Sequence, residues 1–405
     1  MSRRKLTMRD ISHATGLSTF TVSRALSGAA GVSEDSRSQV ERVAREMGYI
    51  PNRAAQGLRS AVRDSVAVIT ASTSNVYYLD MMSGIQQAML QTDRTVALMD
   101  IAVNGTYDAD LEDRMMQRLI ESRMAGVIST LTLKPESISL LASWDIPVVF
   151  VDSPPPAAAS HLPSVTTNNY DASLLVGAHL AEHRYRNWLF LAYPGRWSTR
   201  HDRERGLREA ALRHGATMAI LDSENDAASA SKTLAAHLDG AAATPDVLIA
   251  GNNPLLLGAL RLLEARSIRV PDDMALVSYD DFAWASLIDP PLTVLDERSE
   301  EIGRLAATML SRIIDDQMEA ERRGDLASPI YLPEHQLQVP VDLIVRRSCG
   351  CAAPANHESL RTISTGPPGR GGRPPSLKAG SQAKRPPAGA QEEKAGSALK
   401  RGGAR

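Results

Sequence analysis

TMRDISHATGLSTFTVSRALS, residues 7–27, holds two helix starts separated by a glycine turn. Thr7 and Asp10 stand at capping-box spacing, so the Thr7 hydroxyl is expected to accept a free backbone N–H while Asp10 reaches back. A helix to about Ala14 follows, with Ile11 and Ala14 expected as its buried face. Gly16 suits the left-handed turn, where a residue without Cβ adopts positive φ at little cost. Ser18 then caps a second helix from Thr19 to about Ser27. Val22 and Leu26 form an i, i+4 pair and mark its core stripe. Phe20 and Arg24 each stand two positions from Val22, about 200° around a helix of 3.6 residues per turn. They share the outer face, with Thr19 and Thr21 flanking and Ser23 and Ser27 near its edge. An exposed Phe beside an exposed Arg does little for solubility. In a major groove, Arg forks onto guanine and Phe covers a thymine methyl. The alternative is a Phe20 packed into the small core beside a solvated Arg24.

A third helix is expected after Ser33, with Glu34 and Asp35 in its first turn complementing the helix dipole. Val40, Val43, Ala44 and Met47 complete a three-helix core.

Charge separates this head from the rest. Residues 1–63 hold 11 Lys/Arg against 5 Asp/Glu, and residues 352–405 hold 10 against 3. The stretch between is strongly acidic, although the whole chain is only −2. Basic ends on an acidic body suggest that only the ends meet a polyanion.

From 64 to 351, short apolar runs alternate with amphipathic helical stretches. Strands are expected at Val66–Thr70, Val96–Asp100, Gly126–Thr130, Val148–Asp152, Trp188–Ala192, Val247–Gly251 and Ala275–Tyr279. Helices are expected at Met81–Gln91, Leu111–Arg123, Ala172–His183, Arg203–His214 and Leu255–Ala265. That alternation predicts an α/β body with parallel sheets, and its length exceeds one comfortable core, so two doubly wound lobes follow. The domain organisation expected is an all-α helix-turn-helix head at 1–50, a hinge at 51–63, the two-lobed body at 64–351 and a disordered basic tail at 352–405, rich in Pro and Gly.

The motifs TVSRAL (21–26) and GYIPNRAAQGL (48–58) resemble the lactose-repressor/galactose-repressor (LacI/GalR) family of bacterial transcription regulators. The resemblance runs from residue 5 to about 351 and leaves the tail outside. It implies a homodimer on near-palindromic operator double-stranded DNA and lobes like those of periplasmic binding proteins. It also implies Thr19, Phe20 and Arg24 as base readers. Thr7, Ser18, Thr21, Ser23, Ser33 and Asn52 fall at phosphate-contacting or minor-groove positions, and Ala55 and Leu58 lie in the hinge. In the family that hinge becomes a helix only on DNA, where its leucine wedges between base pairs. A segment this short is too brief for a stable isolated helix, which fits. Phe20 stands where many relatives carry a polar residue.

In open α/β sheets ligands bind beyond the carboxyl ends of strands. Asp152, Asn252 and Asp280 occupy such places, and Arg203 is expected to open a helix. Two acids, an amide and a guanidinium suit the hydroxyls of a sugar or small polar metabolite. Tyr77 and Tyr78, expected in a loop, and Trp284 could stack on a sugar's apolar face. The family places its inducer-binding residues at the matching positions, and YDD (279–281) and PPLT (290–293) also resemble it. The stretch 222–232 departs from it by lacking a frequent Ser-Gly segment.

A periplasmic sugar-binding protein and an enzyme are the rival readings. No signal-peptide pattern or apolar run long enough to span a bilayer occurs, so a cytoplasmic protein without a membrane partner is expected. No Walker loop, GxGxxG after the first strand, GxSxG or HExxH appears, so neither catalysis nor a cofactor is expected. Cys349 and Cys351 have no His or Cys at zinc-like spacing along the chain, and read as incidental reduced thiols rather than a C-x-C metal or redox pair.

Overall fold

The computed structural model describes residues 6–49, 64–70, 75–101, 107–241, 243–325, 331–352 and 361–365. The head is three helices, α1 (Met8–Thr15), α2 (Thr19–Leu26) and α3 (Glu34–Met47). Ile11, Val22, Ala25, Val40 and Ala44 are its buried apolar centre. Two details differ from expectation. Thr15, not the exposed Ala14, joins Ile11 inside, because its hydroxyl is satisfied by the Ile11 carbonyl at 2.8 Å. On α2 the buried pair is Val22 and Ala25, while Leu26 is half-buried. The smaller side chain takes the i+3 position, where the three helices meet closely.

The first lobe begins with β1 (Ser65–Thr70), α4 (Val76–Leu90), β2 (Thr95–Asp100), α5 (Ala109–Glu121), β3 (Gly126–Ser129), α6 (Pro135–Ser143), β4 (Val148–Val151) and β5 (Ser164–Thr167). The second contains α7 (Asn169–Glu182), β6 (Asn187–Ala192), α8 (Ser198–His214), β7 (Thr217–Asp222), α9 (Ala227–Gly240), β8 (Val247–Ala250), α10 (Asn253–Ala265), β9 (Ala275–Tyr279) and β10 (Thr293–Asp296). The chain then returns to the first lobe as α11 (Ser299–Arg323) and β11 (Gln336–Val339), and ends in the second as β12 (Asp342–Val345) and β13 (Arg361–Ser364).

The first sheet has the order β11-β5-β4-β3-β1-β2 and is parallel throughout. The second has the order β13-β12-β10-β9-β8-β6-β7. It is parallel from β10 to β7 and antiparallel where β12 joins β10 and β13 joins β12. Strands β3, β4, β8 and β9 are buried along their whole length, as expected of strands covered on both faces. The chain therefore passes between lobes three times, after β5, β10 and β11.

Close helix crossings hold the returning segment in place. A Cβ on Gly84 of α4 would run into the Glu300 carbonyl of α11, and one on Gly303 would run into the Met81 carbonyl. Backbone thus meets backbone where α4 and α11 cross, and only glycine allows it.

The two-lobed α/β body agrees with expectation, but its far boundary does not. Arg361–Ser364, assigned from sequence to the tail, forms β13 against Asp342–Val345. A four-residue edge strand gains its order from that pairing, not from an apolar pattern of its own. Strands β5, β7, β10, β11 and β12 were also not anticipated, nor were α6, α9 and α11.

Candidate functional site

In the head, the Asp10 carboxylate accepts both the Thr7 N–H and the Thr7 hydroxyl, each at 2.8 Å. The Thr7 side chain faces the Asp10 backbone N–H in return, so the capping box expected from the sequence is present, with a hydroxyl–carboxylate bond added to it. Gly16 has φ 71°. Ser18 Oγ accepts from Thr21 N at 3.1 Å, and Ser33 Oγ accepts from Ser36 N at 3.3 Å. These caps fix where α2 and α3 begin, leaving the hydroxyls at exposed helix N-termini where backbone N–H groups favour anions.

Phe20 is 68% exposed, so it does not pack into the core. Arg24 is not a free outer probe: it is half-buried, its guanidinium donates to the Ala30 carbonyl, and its Cζ lies 5.5 Å from the Phe20 ring centroid. Thr19, Ser18, Ser33 and Thr7 are exposed, and Thr21 and Ser23 are half-buried. Arg37, which sequence reasoning passed over, donates to the Ala25 and Ala29 carbonyls at 3.1 and 2.9 Å and holds the loop after α2. Asn52, Ala55 and Leu58 lie outside the described residues.

In the body, Tyr77, Tyr78, Asp152, Arg203, Asn252 and Asp280 line one cavity of about 30 Å³, with Asn75, Ser153, Tyr193, Trp197, Thr199 and Asn225. Tyr77 and Tyr78 belong to the first turn of α4, not to a loop. Their hydroxyls donate to Asp152 at 2.9 and 3.3 Å. Asp152 follows β4 and Asp280 follows β9, and both have left-handed backbones, φ 67° and 66°. That conformation is sparsely populated by residues other than glycine and tolerated best by Asn and Asp. Each turn takes the chain sharply off its strand and leaves the carboxylate beyond the sheet.

Arg203 lies in the second turn of α8 and does not open it. It makes four hydrogen bonds inside the protein: to Asn169 Oδ1 at 2.7 Å, to the Gly251 carbonyl at 2.6 Å and to both Glu297 oxygens at 2.8 and 2.7 Å. Asp280 is a further 3.7 Å ion-pair partner, and Tyr279 lies under the guanidinium at 4.3 Å. Asn252 caps α10, accepting from Leu255 N at 3.2 Å, and donates to Asn225 at 2.7 Å. The bland role of helix cap and the role of pocket group thus fall on one amide.

Three buried carboxylates, Asp152, Asp280 and Glu297, share one buried guanidinium, that of Arg203. Burial, reinforced by the Glu297 charge, pushes Asp152 up to about 7, against the pull of Arg203 and the two tyrosine hydroxyls. Burial also holds Asp280 well above the ordinary carboxylate range; Arg203 opposes this and Glu297 adds to it. Arg203 is held firmly charged, because the Glu297 and Asp280 charges outweigh its burial.

Trp284 is not part of this cavity. It is 46% exposed, packs on Phe282 at 4.2 Å, and lines a neighbouring cavity of about 310 Å³ with Val76, Asn225, Asn253 and Leu257. Asn225, inside the stretch that departs from the family's Ser-Gly pattern, borders both spaces. Glu297 was missed because TVLD was not recognised as a strand; the strand-end rule that found Asp152 and Asp280 would otherwise have found it.

Comparison with known proteins accords with this two-part build. Residues 7–52 match the model for bacterial regulatory proteins of the lacI family, and residues 63–336 match the periplasmic binding proteins and sugar binding domain of LacI family. The chain belongs to the LacI family, as a DNA-binding transcriptional regulator with an effector-binding body. It is 25% identical over 325 residues to the ribose operon repressor of Escherichia coli (strain K12), covering 78% of this chain and 96% of that one. It is 24% identical to the HTH-type transcriptional regulator RegA of Clostridium saccharobutylicum, over 82% of this chain and 97% of that one. The fold matches that of the lac repressor dimer bound to operator and the anti-inducer ONPF, with TM-score 0.69, 23% identity, and coverage of 85% and 99%. Among the described residues no helix is long and apolar enough to cross a membrane.

Proposed function

We propose that this regulator is a cytoplasmic repressor that binds a near-palindromic operator as a homodimer and releases it when a sugar or similar polyhydroxylated metabolite enters the body. It acts by binding, not by catalysis. Helix α2 enters the major groove with Thr19, Phe20 and Arg24 toward the bases, while Thr7, Ser18, Thr21, Ser23 and Ser33 meet phosphates. Asn52, Ala55 and Leu58 supply the hinge contacts in the minor groove, Leu58 as an apolar wedge that bends the DNA. On DNA, Arg24 exchanges the Ala30 carbonyl for a base edge.

The observation that carries the effector reading is the buried polar array around Arg203. Tyr77 and Tyr78 already donate to Asp152 as ligand hydroxyls would. A cavity of about 30 Å³ has room for about one water, so a sugar requires the lobes to part and the tyrosines to swing aside. Binding shifts the protein toward that state only as far as the ligand prefers it. Trp284 then borders the effector from the adjoining cavity.

The test is a thermal-shift screen of the full chain against sugars, sugar acids and polyols, followed by operator gel shifts with each hit. A hit raises the melting temperature by mass action and weakens the protein–operator complex. A hit that tightens the complex reverses the proposed direction of control, and a screen in which no polyol or sugar binds rejects the ligand class.

A further inference from the structure

The two cysteines are not the isolated thiols that their spacing suggests. Cys349 is fully buried and Cys351 half-buried, on the loop that follows β12. Facing them is the end of α7, where His179 and His183 stand four residues apart and so project from one side of the helix. One ligand atom from each of His179, His183, Cys349 and Cys351 lies within 4.8 Å of all the others. Cys351 Sγ is 3.3 Å from His183 Nε2, and the two imidazole centroids are 5.0 Å apart.

We infer that His179, His183, Cys349 and Cys351 form a closed, structural Cys2His2 site for zinc, clamping the end of α7 to the loop after β12. Two thiols and two imidazoles are the donor set that a borderline-soft d10 cation prefers, and four protein ligands leave no open position for substrate. Bond lengths of about 2.3 Å to sulfur and 2.0–2.1 Å to nitrogen place tetrahedral ligand atoms roughly 3.3–3.8 Å apart. The existing cluster needs only small side-chain rotations to contract to that spacing. Each thiol releases its proton to solvent on binding, so two thiolates and one Zn²⁺ give a neutral site, suited to burial.

The surroundings are shaped to hold the ligands still. Gly350, between the cysteines, has φ 93°, and a Cβ there would come within 2.6 Å of the Tyr185 hydroxyl. That hydroxyl donates to the Cys349 carbonyl at 2.9 Å, while the Tyr185 ring stacks on His183 at 5.4 Å. Ser348, just before the pair, is tied to Leu276 and Thr293 of the second sheet. The Glu182 carboxylate lies 3.7 Å from His179 Nδ1, longer than a hydrogen bond, and a short approach would let it orient a metal-bound imidazole through that nitrogen. Sequence spacing hid the site because His183 and Cys351 are 168 residues apart along the chain.

The test uses untagged full-length protein, fully reduced and stripped of metal, titrated with Co²⁺ and then Zn²⁺. The expected result is thiolate-to-cobalt charge-transfer absorption with the visible bands of tetrahedral Co²⁺, saturating at about one metal per chain and bleached by Zn²⁺. Cys351→Ser and His183→Gln, both at half-buried positions, lose those bands, and zinc no longer raises their melting temperature. The wild-type protein also offers a readout independent of whether the variants fold: zinc slows alkylation of its two thiols. Cobalt spectra without thiolate bands, bands retained in Cys351→Ser, or thiols alkylated equally fast with and without zinc would each overturn the assignment.

Discussion

The groups proposed to work in head and body lie on opposite sides of the protein surface. Phe20 and the capping hydroxyls of Ser18 and Ser33 are exposed, supported by a core of five buried apolar residues. Arg203, Glu297, Asp152 and Asp280 are almost wholly enclosed. An exposed polar group keeps its water and is energetically inexpensive, whereas a buried charge is stable only while its partners remain. The head can therefore change its specificity with little effect on folding. The body's enclosed groups are structural, so the ligand recognition proposed for them is coupled to stability.

Arg203→Met tests this contrast most severely. It strands Glu297 and Asp280 without a cation and should cost about 3–5 kcal/mol in urea denaturation of the body. Unchanged stability would break the comparison.

Next comes Asp152→Asn. The carboxyl of Asp152 is raised from its ordinary value near 4 to about 7, so the folded state holds a proton that the unfolded state has lost. This contribution to stability is complete below pH 4 and disappears as pH rises through 7. The Asn variant should flatten denaturation midpoints measured from pH 5 to 8, with its relative gain largest at the alkaline end. A slope as steep as that of the original protein would place the proton elsewhere.

On the head, Arg24→Ala should lose about 1–3 kcal/mol of affinity for an operator obtained by selection from random sequence, and relax preference at one base pair. Uniform weakening across sequences would make Arg24 a phosphate or loop residue instead. Ser18→Ala should cost the head about 1 kcal/mol in thermal unfolding, through the lost cap. Phe20→Ala sharpens the contrast at its small end: stability should move by less than about 0.5 kcal/mol while operator selectivity changes.

The head was readable because its signals are local. Capping residues, a glycine turn and helical periodicity fall within a few residues of each other; what went astray were the inward choices of Thr15 over Ala14 and Ala25 over Leu26, and the tie of Arg24 to the Ala30 carbonyl. In the body, periodicity exposed the fully buried strands but not β7, an edge strand with alternating exposure, nor β13, ordered by its neighbour alone. The strand-end rule placed Asp152, Asn252 and Asp280 at one cavity with Arg203. It missed Glu297, whose strand went unrecognised; Trp284, picked for its nearness to Asp280, lines the adjoining cavity instead, because sequence nearness does not fix which wall a side chain faces. The Cys–His cluster depends on long-range packing that no single stretch encodes.

The triple passage between lobes also has a consequence for synthesis. The first sheet lacks its β11 edge, and α4 lacks the helix crossing it at Gly84 and Gly303, until the chain has been made past residue 339. The second sheet waits still longer for β12 and β13. The head is complete at residue 49, and domains fold as units in order of emergence from the ribosome. A nascent chain thus completes its three-helix head long before either lobe of the effector-binding body is finished, and a message cut short within the body would yield a folded head without the domain that binds effector.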